Sequence, residues 1–419
     1  MAHLLMIESW VGASGNLLPP LLKSLGHTYT FVTRKLEHYQ SSLSTEKHPV
    51  VRHAEEVLVM ETNDTDSLIE NLRSYRFDGV ITVCDYYIDT VREVAKALQL
   101  PCPFPTDVAA VRHKHLLRQA LDRAGLANPS YRLAHVWEEV RQAAAEIGYP
   151  LVLKPVDLAS SAYVKLIQNE NELQEAYQAL EAFPRNFRDQ ARDCAYLLEA
   201  FMEGEEISVE SVSYDGNTTI LGMTDKSITG TPFFIENGHM FPARLDEGTQ
   251  AAVRAYVLDA LKAAGFDHGI AHTEVKLTPD GPRIVEINPR TAGNYIVELM
   301  RRVTGIDLLE SFVALSLGSK PAITAKDTGV ASAAVMFLVP PQGGTLTSLQ
   351  GVDTLDSDEH IVRYKIENCE GKSFAKPIDN ACYLGHIVTQ DSKGLQARAY
   401  AEAALKRIAF VYEPSGEKE

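Results

Sequence analysis

Short apolar runs alternate with amphipathic stretches through the first hundred residues. Residues 3–8, 28–33, 56–60 and 78–83 read as strands, and between them apolar side chains recur at helical spacing, the first helix ending at Gly26. Such alternation predicts a parallel α/β sheet. The proline-dense Leu100-Pro-Cys-Pro-Phe-Pro105 favours extended chain and marks a domain boundary. Thr106 or Asp107 then caps a helix running to about Ala124 and stopped by Gly125.

Further on, the pattern gives a strand at 131–134, a helix at 138–147, a strand at 151–155 and a helix near 170–183. Strands at 195–199, 207–212 and 218–224 read as an antiparallel group. An amphipathic helix at 249–264 leads into two alternating strands, and 296–317 is largely helical. Beyond about Lys320, strand-like runs at 330–339 and 381–389 and a closing helix at 394–408 predict a smaller α+β lobe. The expected class is therefore α/β and α+β multidomain, with units at 1–105, 106–195, 196–320 and 321–419.

The two alternating strands carry the most chemistry. They span His272-Thr-Glu-Val-Lys-Leu-Thr-Pro-Asp-Gly-Pro-Arg-Ile-Val-Glu-Ile-Asn-Pro-Arg290. Pro279-Asp280-Gly281 suits a three-residue hairpin loop, with Thr278 facing Pro282. Counting outward sets Glu274 opposite Glu286, puts Asn288 and Arg290 on the face of Glu286, and turns Val285 and Ile287 to the core. Facing carboxylates repel unless a cation lies between them, and two Glu with an Asn are oxygen ligands that suit Mg²⁺ held partly by substrate phosphates. An exposed hairpin with scattered charges is the plainer alternative.

Bulk properties narrow the field without deciding it. At 419 residues, 45% hydrophobic and 23% charged, the chain is long enough for two or three packed domains and shows no bias toward disorder. A formal charge of −16 opposes a nucleic-acid backbone as partner. No apolar run reaches membrane length and no signal segment opens the chain, so a cytoplasmic protein is expected. Cys84, Cys102, Cys194, Cys369 and Cys382 lack metal or disulfide spacing. The loop Gly12-Ala-Ser-Gly15 could hold a phosphate at a helix N-terminus, but reads better as a tight structural turn.

In order, the chain offers Lys114 with Arg118 one turn later, Lys154 ending an apolar strand, the acidic segment Glu199-Ala-Phe-Met-Glu-Gly-Glu-Glu206, and then the carboxylate hairpin. This order resembles the ATP-grasp superfamily over roughly residues 1–320. The Glu236-Asn-Gly-His239 segment, followed by Phe241-Pro242-Ala243, is most similar to its carboxylate–amine ligases, the L-amino acid ligase and dipeptide synthetase group.

The resemblance implies an ATP-grasp fold with an N-terminal parallel α/β domain, a mobile lid subdomain and a C-terminal α+β lobe, using ATP and Mg²⁺ (or Mn²⁺). Lys114 and Lys154 would hold the α- and β-phosphates. Residues 156–162 take the place of a glycine-rich lid yet contain no glycine, leaving Ser160, Ser161 and backbone amides as phosphate donors. Glu199, Phe201 and Met202 would border the adenine and Glu206 the ribose. On a substrate loop, Glu236 would meet an ammonium, with His239 near the phosphorylated carboxylate. Asn294 would form pocket wall, and Arg290 would hold the transferred phosphate and the oxyanion. Glu274, Glu286 and Asn288 remain the metal ligands.

The implied reaction joins a small carboxylic acid to an amine through an acyl phosphate, releasing ADP and phosphate. Its partners would be small molecules, with no nucleic acid and no membrane; relatives of this kind are often homodimers. Plainer readings persist for single residues: Lys114 alone suits a solvated helix face, and a lone histidine is more often packed than catalytic. A biotin-carboxylase-type enzyme and a nucleotide-binding module without catalysis are the rival functions.

Overall fold

The computed structural model describes residues 1–40, 46–159, 161–229 and 233–413. Its first unit is a parallel four-stranded sheet in the order Glu56–Val59, Thr28–Thr33, His3–Ile7, Gly79–Ile81, with helices packed on it. The expected strands are all present.

A second, antiparallel sheet contains Tyr131–Ala134, Tyr196–Ala200, Leu151–Pro155 and Lys165–Ile167. The strand Tyr196–Ala200, expected among the antiparallel strands that follow it, pairs here instead. Gly204, at φ +141°, separates it from the next strand and lies so close to Leu277 O that a Cβ would fall 2.1 Å from that oxygen. This small subdomain packs a core of its own from Val140, Leu151, Leu153, Leu173, Leu198 and their neighbours.

The largest sheet has eight strands, in the order Gly281–Asn288, Gly269–Thr278, Glu205–Tyr214, Asn217–Thr229, Ile235–Phe241, Ser332–Phe337, Gly385–Asp391, Ile361–Ile366. It therefore runs from the carboxylate hairpin into the C-terminal residues without a break. One hydrophobic core joins it to the N-terminal sheet, from Leu4 and Phe31 to Val257, Ile287 and Phe312.

Two predicted helices are broken. The helix expected to reach Ala124 is split into Ala109–Arg112 and Lys114–Arg123 by an extended His113, which makes Lys114 the first residue of the second helix. The 296–317 stretch divides into Ile296–Thr304 and Leu308–Ser316 at Gly305, whose φ of +70° ends the first helix.

Arg118 links the units. It is 1% exposed, donates from Nε to Glu199 Oε1 at 2.6 Å and from Nη2 to Glu199 Oε2 at 3.1 Å, and gives further bonds to the carbonyls of Ile284 and Val285. Lys154 Nζ lies 2.5 Å from Glu199 Oε2. Burial alone would raise the Glu199 carboxyl, but Arg118 and Lys154 bring it down to about 2 from 4.5. Removing one partner of a buried pair strands the other. Arg118→Met is expected to lower the unfolding free energy in urea by about 3 kcal/mol; a loss below about 1 kcal/mol contradicts this role. Because the folded-state pKa of Glu199 is depressed, its contribution is full above pH 4.5 and is lost as pH falls toward 2. The melting-temperature gap between wild type and Glu199→Gln should therefore narrow through that range.

Candidate functional site

The hairpin carries the predicted pair by a route the sequence did not suggest. Glu274 does face Glu286. The loop, however, has two residues rather than three: Thr278 pairs with Gly281 and Leu277 with Pro282, with Gly281 at φ +100°. A bulge between Glu274 and Val275, opposite Ile284 and Glu286, inserts the residue that the shorter turn removed. The two departures cancel at Glu274. Val285, expected in the core, is the extra residue and turns to the cleft, while Ile284 and Ile287 are buried. Arg118 donates to both carbonyls at the bulge, those of Ile284 and Val285.

Cations crowd the carboxylates. Lys114 Nζ lies 3.3 Å from Glu286 Oε2 and donates to Leu158 O, and Asn288 Nδ2 donates to Glu286 Oε1 at 2.9 Å. Burial would raise the Glu286 carboxyl, yet these neighbours, Lys114 foremost, hold it at about 2. On the other side stands Lys226, a residue the sequence reading missed. Its Nζ is 2.8 Å from Glu206, 2.9 Å from Glu236 and 2.7 Å from Glu274. Burial alone would neutralise this ammonium, but the three carboxylates keep its pKa well above the ordinary lysine value. Strand pairing explains the convergence, since Lys226 lies opposite Glu206 on one side and His239 on the other. Its lone position in Asp225-Lys226-Ser227 gave no signal beyond alternation.

Glu206 faces the cleft as expected and also meets Lys276 at 3.2 Å. Phe201 and Met202 line the same cleft with Lys114, Lys154, Ser161 and Glu199. Glu199 presents no free carboxylate there, because Arg118 and Lys154 occupy both oxygens. Burial pulls the Lys154 ammonium below the usual lysine value, against the attraction of Glu199. In the glycine-free loop, Ser161 and Tyr163 adopt φ of +55° and +59°, a conformation that glycine takes more easily. Ser160 lies outside the described residues.

Glu236 and His239 sit on the strand Ile235–Phe241 and not on a loop. A bulge at Asn237 lets residues three apart share a face, so His239 Nε2 lies 3.3 Å from Glu236 Oε2. His239 is fully buried against Phe337 and lines neither the cleft nor the cavity beside it, so it does not border the space where a phosphorylated carboxylate was expected; it lies behind Glu236 instead. Asn294 does join the site, donating to the same Glu236 oxygen, Oε2, while Lys226 meets Oε1.

These groups surround a second cavity of about 320 Å³, within the range of small-molecule sites. Glu236, Glu274, Glu286, Arg290 and Asn294 line it, with Trp10, Ser14 and Tyr383. Ser161, Glu236, Glu274 and Glu286 line both cavity and cleft, so the two meet at the carboxylate hairpin. The Gly12–Gly15 loop is thus a tight turn, as expected, and also a pocket wall: Gly15 N donates to Gly12 O, and a Cβ on Gly15 would fall 1.8 Å from Trp10 O. Asp85 was also missed. It accepts from Arg290 Nε and from Trp10 Nε1, both at 2.7 Å.

The oxygen donors suit a hard divalent ion. Among the described residues no three His, Cys, Asp or Glu side chains form a metal cage. Two carboxylates and an amide oxygen match instead a Mg²⁺ that takes its remaining ligands from water and substrate phosphates.

Comparison with known proteins finds two family matches and a set of relatives. The ATP-grasp domain family matches residues 147–298, and L-amino acid ligase C-terminal domain 2 matches residues 336–413. The uncharacterized protein y4rH of Sinorhizobium fredii is 26% identical over 397 residues, covering 93% of this chain and 81% of its own. Carnosine synthase 1 of Gallus gallus is 29% identical over 374 residues, covering 81% of this chain, which spans only 38% of that protein. The crystal structure of L-amino acid ligase from Bacillus licheniformis superposes with a TM-score of 0.82 at 22% identity and covers 99% of both chains. Residues 147–298 thus match an ATP-grasp domain and residues 336–413 the C-terminal domain 2 of L-amino acid ligases, and the chain is similar to proteins that combine the two.

Proposed function

We propose that the protein is an ATP-dependent carboxylate–amine ligase, which joins an amino acid or other small carboxylic acid to an amine and releases ADP and phosphate. One observation carries this reading: the cleft lined by Lys114, Lys154 and the 199–206 segment opens at the carboxylate hairpin into a cavity that holds both an acidic anchor, Glu236, and a basic one, Arg290. A nucleotide in the first and an acid in the second would meet at Glu274, Glu286 and Asn288. The relatives' names support the class without naming the substrates.

In the first step an oxygen of the substrate carboxylate attacks the γ-phosphorus, and the bond to ADP breaks. In the second the amine nitrogen attacks the acyl carbon, phosphate leaves, and the amine gives up a proton. Lys114 and Lys154 supply fixed positive charge toward phosphate oxygens, and Arg290 presents a planar fork to the transferred group. Glu236, held as the anion by Lys226 despite its burial, can pair with a substrate ammonium. Glu274, Glu286 and Asn288 would hold Mg²⁺ (or Mn²⁺), which supplies charge neutralisation at the phosphates. Catalysis of this kind rests on positioning and electrostatics and needs no covalent enzyme intermediate.

Purified protein with MgATP should release phosphate only when an acid and an amine are both present, and mass spectrometry should find a product equal to their sum less water. Release with bicarbonate alone would point to a carboxylase, and no release with any pair would leave a nucleotide-binding module.

Arg290→Lys keeps the charge but loses the fork, and should slow amide formation by about 100- to 1,000-fold with an unchanged melting temperature. Glu286→Gln should raise the Mg²⁺ concentration needed for half-maximal MgADP binding by about 100-fold, read by calorimetry; an unchanged requirement removes Glu286 from the metal site.

A further inference from the structure

Arg290 lies two residues past the end of the strand Gly281–Asn288 and is oriented by other parts of the chain. Its Nε is occupied by Asp85 Oδ1, and Nη1 donates to Thr291 O at 3.0 Å. Asp85 is 1% exposed and belongs to the N-terminal unit; its second oxygen accepts from the indole of Trp10. A planar guanidinium fixed at Nε has its remaining edge set by that bond, so whatever holds Asp85 and Trp10 in place also aims Arg290 at the cavity.

What holds them comes from the small subdomain. Residues 184–194, between its helix Glu170–Glu181 and its strand Tyr196–Ala200, reach across to the N-terminal unit. Arg188 is 4% exposed there: Nη2 donates to Ser9 O at 2.6 Å, Nη1 lies 4.0 Å from Glu8 Oε2, and the guanidinium stands 5.3 Å from the Tyr39 ring and 5.9 Å from the Trp10 ring. Arg188 O accepts from Asn63, Asp189 pairs with Arg34 and Lys35, and Gln190 Nε2 donates to Tyr86 O at 3.0 Å. Tyr86, next to Asp85 and edge-on to Trp10, also accepts at its hydroxyl from Ala159 N in the glycine-free loop. Both subdomain segments thus touch the Trp10, Asp85 and Tyr86 group, and that group touches Arg290. Long surface pairs would be worth little, but a nearly fully buried arginine placed between two aromatic rings, beside a buried carboxylate, is a specific seat.

We propose that Asp85 and Trp10 are positioning residues for Arg290, and that Arg188 couples their arrangement to the seating of the small subdomain. Arg290 is then aimed at the transferring group when that subdomain is docked, so the acyl phosphate forms in a closed site. This rests on the ligase reading for its kinetic consequences, though not for the contacts themselves.

Two measurements test it. In a double-mutant cycle, Arg188→Gln and Asp85→Asn should each lower kcat, Asp85→Asn by about 100-fold, and the double variant should lose no more than the worse single one. Arg188→Gln should also release more than one ADP per amide formed, a leak that a merely structural defect with a lowered melting temperature would not produce. Additive losses with a one-to-one ratio would overturn the proposal.

The second measurement needs no turnover. The chain has two tryptophans, so Trp137→Phe leaves Trp10 as the sole emitter. In that background MgADP should protect Trp10 from acrylamide quenching, and adding Arg188→Gln should abolish the protection while MgADP still binds. Equal protection with and without Arg188 would refute the coupling. If wild type forms no amide with any pair while Trp10 is protected only when Arg188 is present, the ligase reading fails and the coupling stands.

Discussion

Two carboxylates set face to face on neighbouring strands repel each other, and burying them makes the repulsion worse. Glu274 and Glu286 are in that position, and much of the site is arranged around them. Lys226 compensates one from within the sheet and Lys114 the other from a helix start. The same two lysines draw in Glu206, Glu236 and Leu158 O, so cleft and cavity are tied to one electrostatic centre. Such a centre stores affinity for cations, which is what a site for a metal-bound triphosphate requires.

A second buried centre, Arg118 with Glu199 and Lys154, performs a different task. It joins the carbonyls at the hairpin bulge to the strand Tyr196–Ala200 of the small subdomain. Charge placed this deeply contributes less to stability than to specifying one arrangement, because every alternative leaves a desolvated ion unpaired. The bulge itself depends on it, since the Ile284 and Val285 carbonyls find their donor in Arg118.

The sequence made the hairpin legible because alternation and turn residues act locally. Even so, the loop length was misread, and the register at Glu274 came out as expected only because the bulge offset the shorter turn. His239 reads as part of a loop because its stretch is rich in glycine and aromatics, whereas strand pairing on both sides buries it. Lys226, Asp85 and Arg188 were invisible for a common reason: each matters through partners ten or more residues away, such as Glu206, Arg290 and Ser9, and nothing beside them in the chain marks the contact. The eight-stranded sheet that runs into the C-terminal residues was likewise hidden, because pairing between Ile235–Phe241 and Ser332–Phe337 is long-range.

The proposed attack of a carboxylate oxygen on the γ-phosphorus, where cleft and cavity meet, can be followed with an acid labelled with ¹⁸O in its carboxylate. With a productive acid and amine pair, the released phosphate should carry one ¹⁸O from that carboxylate and the amide should keep the other. Phosphate free of the label, with product still formed, would contradict it.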